Sequence, residues 1–157
     1  MEPTIRVGER IVVDRTAFWF RKPQRWEIVV FLCPHQPTEL CVKRVAGLPG
    51  ETVQIRGGLI YANGKPQPSP IGVRYGARSG QEFGDSPEYA LGPNEYFVLG
   101  DNSGVSEDSR YWEPPAIPAN QILGKPVRRD HGAIRTQAAT MRTIRNPASV
   151  RSLPAAL

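Results

Sequence analysis

Short β-branched runs separated by turn residues dominate the first 127 positions. "RIVVD" at 10 to 14 and "EIVVF" at 27 to 31 predict strands buried on at least one face. "CVKRVAGLPGE" at 41 to 51 predicts a strand running into a Gly-Leu-Pro-Gly turn. In "TVQIRGGLIYANGKPQP", Val53 and Ile55 alternate with polar residues, Gly57-Gly58 predicts a tight turn, and Asn63-Gly64 is the two-residue hairpin signal. This is a β-meander. Residues 66 to 93, rich in Pro, Gly and Ser, predict a long loop or irregular insertion. "EYFVLG" at 95 to 100 restores a strand, and "NQILGKPV" at 120 to 127 predicts the last one.

Composition agrees with that pattern. The 157 residues are 39% hydrophobic and include 15 glycines and 16 prolines without a collagen-like period, which favours short strands over long helices. The predicted class is mostly β, a body at 1–127 followed by a basic, flexible tail at 128–157, with 66–93 as a loop-rich insertion in the body. Charge changes the picture only locally. The net charge is +5, yet the tail holds six arginines against Asp130, which leaves 14 basic and 14 acidic residues before it. A neutral body argues against nucleic acid as partner. The longest apolar run, Ile28 to Cys33, is far short of the roughly 20 residues that cross a bilayer. Ala17-Phe18-Trp19-Phe20, followed by Arg21 and Lys22, has two readings: an interfacial loop among lipid headgroups, or a buried strand end or hairpin packed into the core.

Two stretches carry candidate chemistry. Lys43 sits in an otherwise apolar strand pattern. Burial there would disfavour its charged form and lower its pKa, the route by which lysine becomes a general base. The competing reading is a solvent-facing position on an edge strand. "GDNSGVSEDSR" at 100 to 110 packs three hydroxyls, three carboxylates and an arginine into one loop, poor material for a core and good material for a site. Calcium would need the fixed ligand order of an EF-hand over about 12 residues, which this loop lacks. Cys33 and Cys41 flank the predicted loop "PHQPTEL". They are either a disulfide across a hairpin, if their Cα atoms lie within about 7 Å, or two free thiols. His35 and His131 read as surface residues.

"MEPTIRVGERIVVD", "WEIVVF", "VKRVAGLPGE" and "GDNSGVSEDSR", in this order and at these intervals, resemble the signature boxes of the type I signal peptidases, membrane-bound Ser/Lys endopeptidases that remove secretory leader peptides. The likeness spans about residues 1 to 127 and includes "NGKP" and "IPANQILGKP". It implies coiled antiparallel sheets with a shallow substrate groove. It also implies Lys43 as general base, Ser106 as the hydroxyl that orients it, Asp108 and Arg110 as an ion pair bracing the loop, and Gly100, Asp101 and Asn102 as its entry. Met1 and Pro3 become substrate-groove candidates. No metal and no diffusible cofactor are implied. The implied partners are preprotein signal peptides, the membrane surface and the secretion machinery, on the extracytoplasmic side of a membrane.

In that family the nucleophilic serine immediately precedes the Met-x-Pro-Thr stretch, here Met1-Glu2-Pro3-Thr4. The resemblance therefore places the nucleophile, a second oxyanion-hole serine and the anchor upstream of Met1, and neither Thr4 nor Ser106 matches the nucleophile. The chain as written is expected to lack covalent turnover. Departures from the family pattern are Trp26-Glu27 for glycine and aspartate, and Glu113-Pro114-Pro115 where a glycine is usual. Two other classes stay open: a non-catalytic pseudo-peptidase that binds peptide, and a self-cleaving regulator related to the repressors of that fold. The second would require an N-terminal helix-turn-helix and an upstream Ala-Gly cleavage site, and neither is present in the chain as written.

Overall fold

The apolar periodicities become ten antiparallel strands in a computed structural model that describes residues 1–76 and 85–128. They are β1 (Ile11–Asp14), β2 (Ile28–Cys33), β3 (Gln36–Gly47), β4 (Thr52–Arg56), β5 (Leu59–Ala62), β6 (Lys65–Gln67), β7 (Tyr89–Ala90), β8 (Glu95–Leu99), β9 (Ile117–Pro118) and β10 (Ile122–Arg128). One sheet has the order β1-β10-β2-β3-β8-β9 and the other β6-β5-β4-β7. A 3-10 turn at Ala119–Gln121 leads into β10. Among the described residues, no helix is long and apolar enough to cross a membrane.

Strand β8 explains why "EYFVL" is apolar without alternation. Tyr96 and Val98 enter one core cluster with Val29, Phe31, Val45, Trp112 and Ile117, whereas Phe97 and Leu99 enter another with Ala46, Val53, Ile55 and Ile60. Successive side chains of a strand point to opposite faces, so a run buried on both faces must be apolar throughout. The second cluster joins the two sheets, with Val53 and Ile55 of β4 facing inward and Gln54 and Arg56 outward.

Both predicted hairpin turns form. Gly57 and Gly58 have φ of 51° and 80°, and Asn63 and Gly64 have 49° and 74°. Two successive positive φ values are the backbone of the type I′ two-residue hairpin.

Three expectations need correction. The segment "PHQPTEL" is mostly strand: β3 begins at Gln36 and pairs with β2 through Leu32↔Leu40 and Cys33↔Gln36, with a register shift between them. That shift closes the hairpin over a Cys33–Cys41 disulfide with Cα atoms 5.2 Å apart. The 66–93 stretch is not wholly irregular. Its ends contribute β6 and β7 to the second sheet, and it supplies the buried Tyr75 and Leu91 to the core. Lys43 is not on an edge, because β3 lies between β2 and β8. The 128–157 tail and His131 lie outside the described residues, apart from Arg128, which ends β10.

The members of the aromatic cluster differ in packing. Residues 15–21 form turns and bends, with Phe18 packed against the core, while Trp19 and Phe20 are 69% and 98% exposed.

Glu27 anchors that loop. It accepts from Arg21 at 2.6 and 2.9 Å, from the Gln24 N–H at 3.0 Å and from Lys125 at 2.9 Å. The Arg21 hydrogen bonds above all, helped by the Gln24 N–H and Lys125 against the opposing effect of burial, hold its carboxyl at about 2, below the ordinary 4.5. A depressed folded-state pKa contributes stability that is present above the unfolded value and lost as pH falls. Replacement by glutamine, Glu27→Gln, is expected to cost about 1 kcal/mol near neutral pH, its partners being partly exposed. The difference in melting temperature from the parent should shrink steadily as pH falls from 4.5 toward 2. Equal differences at pH 7 and at pH 2 would show that the carboxylate charge is not what anchors the loop.

Candidate active site

The sheet order brings the lysine of β3 to the loop that follows β8. Arg44 and Val45 pair with Leu99 and Val98, so the chain leaving β8 at Gly100 passes directly beside Lys43. Lys43 Nζ donates to Ser106 Oγ at 2.9 Å. Burial pushes the lysine ammonium below its ordinary pKa; Asp108 partly opposes this and Arg110 adds to it. The result is an amine biased toward its neutral, proton-accepting form.

Gly100 makes the approach possible. A Cβ built on it would lie 2.0 Å from Ser106 Oγ, 2.5 Å from Ser106 Cβ and 3.5 Å from Lys43 Nζ. Only glycine fits this position without moving the hydroxyl that Lys43 contacts.

Two buried ion pairs fix the loop from either end. Asp108 takes a bidentate pair from Arg110 at 2.8 and 2.9 Å and accepts the Gly100 N–H at 3.0 Å. Arg110 also donates to the carbonyls of Ser103 and Gly76. Ser109 clamps the loop to β8, its hydroxyl accepting the Val98 N–H at 2.9 Å. At the loop entry, Asp101 takes a second bidentate pair from Arg44, at 2.7 and 2.6 Å. The Thr4 hydroxyl donates to Asp101, and Arg44 donates further to the Trp26 carbonyl at 2.7 Å. Charge-assisted, bidentate hydrogen bonds of this kind set orientation as well as energy.

That second pair ties the N-terminal segment to the site. Thr4 is held by Asp101, and the Ile5 N–H returns to the Met1 carbonyl at 3.0 Å. Met1 thereby lines a cavity of about 230 Å³ together with Lys43, Gly100, Asn102 and Ser106. Pro3 is exposed and does not line it.

The structure therefore gathers Lys43, Ser106, Gly100, Asn102 and Met1 around one cavity, with Asp101, Asp108 and Arg110 behind the loop. Sequence reasoning gave no role in the site to Arg44, Thr4 or Trp26. Arg44 carried the same signal that singled out Lys43, a cation in an apolar strand pattern, but its partner is 57 residues away. Trp26 has φ of 70° at a position where the resemblance expects glycine. A bulky residue is uncommon there. Its N–H bonds to the Val45 carbonyl at 2.7 Å, which holds this backbone against β3. Among the described residues, no group of three or more His, Cys, Asp or Glu side chains is placed to hold a metal ion.

Comparison with known proteins bears on what this arrangement is. The sequence profile of the family described as signal peptidase, peptidase S26, matches residues 1–129. A signal peptidase I of Leptolyngbya laminosa is 35% identical over 139 residues, which cover 81% of this chain and 62% of that protein. One from Pseudomonas aeruginosa is 31% identical, covering 79% of this chain and 56% of its own length. The chain thus spans about three fifths of these relatives. Signal peptidase I V of Bacillus subtilis is 34% identical, with 79% of this chain and 76% of the relative covered. The crystal structure of a signal peptidase I from Enterococcus faecalis V583 superposes with a TM-score of 0.55 at 28% identity, covering 67% of this chain and 97% of that one.

Proposed function

The chain belongs to the signal peptidase family, peptidase S26, and on that premise we propose that residues 1–127 are the catalytic unit of a serine endopeptidase that removes signal peptides from exported preproteins. The observation that carries this reading is the 2.9 Å contact between a desolvated Lys43 amine and Ser106 inside a cavity that Met1 lines. Lys43 is the general base, Ser106 is its positioning hydroxyl, and the nucleophile is a serine immediately upstream of Met1.

In this mechanism the neutral Lys43 amine takes the proton from that serine as its Oγ attacks the scissile carbonyl. A C–O bond forms and the peptide C–N bond breaks. The proton then passes to the leaving amine, and water hydrolyses the ester with Lys43 again as base. Ser106 holds Nζ toward the serine, and the buried pairs behind the loop keep Ser106 in place. An extended peptide would lie along a strand edge with its backbone paired to the domain. The protein would work at the extracytoplasmic face of a membrane, held there by an upstream segment, with the membrane surface and the secretion machinery as partners.

The test is cleavage of a signal-peptide substrate by a chain carrying serine immediately before Met1. The parent should cleave, with kcat/KM rising with pH through a lysine ionisation that lies below the ordinary lysine value. Lys43→Ala should lose at least about 1,000-fold. Lys43→Arg should fail equally, because a guanidinium does not release its proton in this range. Retained cleavage in Lys43→Ala would remove the lysine from the mechanism.

A further inference from the structure

Apart from the proposed catalytic cavity, a second concave feature lies against the 15–22 loop. It measures about 580 Å³ and is lined by the buried or half-buried Phe18, Tyr96 and Ile122 and by the exposed Arg15, Trp19 and Lys22. The loop beside it is held in a fixed shape. Asp14 accepts both the N–H and the hydroxyl of Thr16, the Trp19 N–H returns to the Thr16 carbonyl, and Arg21 sits 5.0 Å over the Phe18 ring while bridging to Glu27. A loop so anchored nevertheless presents Trp19 and Phe20 to solvent, at 69% and 98% exposure. Adjacent exposed aromatics beside cations mark a surface that meets lipid.

Charge selects the occupant. The nearby acids are outnumbered by cations: Glu27 is bridged by both Arg21 and Lys125, and Asp14, hydrogen-bonded by Thr16, keeps a single negative charge. Arg25 is paired with Glu51. Among the described residues, Arg15 and Lys22 have no ion pair, so the cavity keeps two cations beside an apolar lining. We infer that this loop and cavity are a binding site for an anionic phospholipid of the bilayer, with the phosphate between Arg15 and Lys22, an acyl segment against Phe18 and Ile122, and Trp19 and Phe20 in the headgroup region. The inference rests on the membrane placement proposed above and is independent of the hydrolytic chemistry.

The experiment is co-sedimentation of the full chain with vesicles of phosphatidylcholine alone or mixed with phosphatidylglycerol, read alongside quenching of tryptophan fluorescence by brominated acyl chains. The parent should prefer the anionic vesicles. Trp19→Ser with Phe20→Ser should weaken binding at least about tenfold and remove most of the quenching. Arg15→Gln with Lys22→Gln should abolish the preference for phosphatidylglycerol. All four positions are at the surface, and unchanged melting curves would confirm that the variants fold. Anionic-vesicle binding that survives both double substitutions would overturn the inference and move the contact elsewhere, the arginines after position 128 included. Loop-dependent binding without any headgroup preference would overturn the phosphate assignment. Neither result depends on peptide cleavage, so failure of this site and failure of the peptidase reading are separately visible.

Discussion

Arg44→Met should lower the stability of the chain by about 3 to 5 kcal/mol, a fall of roughly 10 °C in melting temperature. Arg44 is 7% exposed and Asp101 is 3% exposed, and the substitution leaves the carboxylate buried with only the Thr4 hydroxyl facing it. The cost comes from stranding a charge, so replacing both partners should restore most of what the single change removes. Arg44→Met with Asp101→Leu is expected to melt well above Arg44→Met alone, since apolar residues of similar volume substitute for buried ion pairs at little cost. A single variant within about 1 kcal/mol of the parent would mean that water reaches the pair. The same variant should lose cleavage in a chain carrying the upstream serine, because Asp101 would no longer be fixed and Thr4 with it.

Gly100→Ala should be the most damaging small change to the site. The added methyl would occupy space 2.0 Å from Ser106 Oγ, so the hydroxyl must swing away from Lys43. A displacement of about 1 Å in a positioning group is worth about 100-fold in rate, and at least that loss in kcat/KM is expected on the proposed reaction. Adding Ser106→Gly removes the collision. The double variant should recover the melting temperature lost by Gly100→Ala while remaining inactive. Recovery of cleavage as well would show that Ser106 only fills space and does not position the base.

The sequence exposed the local parts of this architecture and hid those that depend on which strands become neighbours. Val53 and Ile55 alternate with polar residues and Asn63-Gly64 carries its own turn geometry, so the β4–β5–β6 meander was readable from short windows. The motif boxes named Lys43 and Ser106, which the fold brings to 2.9 Å. Arg44 with Asp101 was illegible for a different reason. Nothing local marks them as partners until β3 and β8 are known to lie side by side. Tyr75 and Leu91 were missed because each is an isolated apolar residue in a stretch of turn formers, where no period announces burial. Phe18, Trp19 and Phe20 look alike in sequence, and only packing separates the one that faces the core from the two that face water.

The alternation along β8 has a thermodynamic consequence. Because Tyr96 and Val98 belong to one cluster and Phe97 and Leu99 to the other, the two cores share a wall one strand thick. Pulling β8 from its sheet therefore opens both at once. The two sheets should accordingly lose structure in a single cooperative transition.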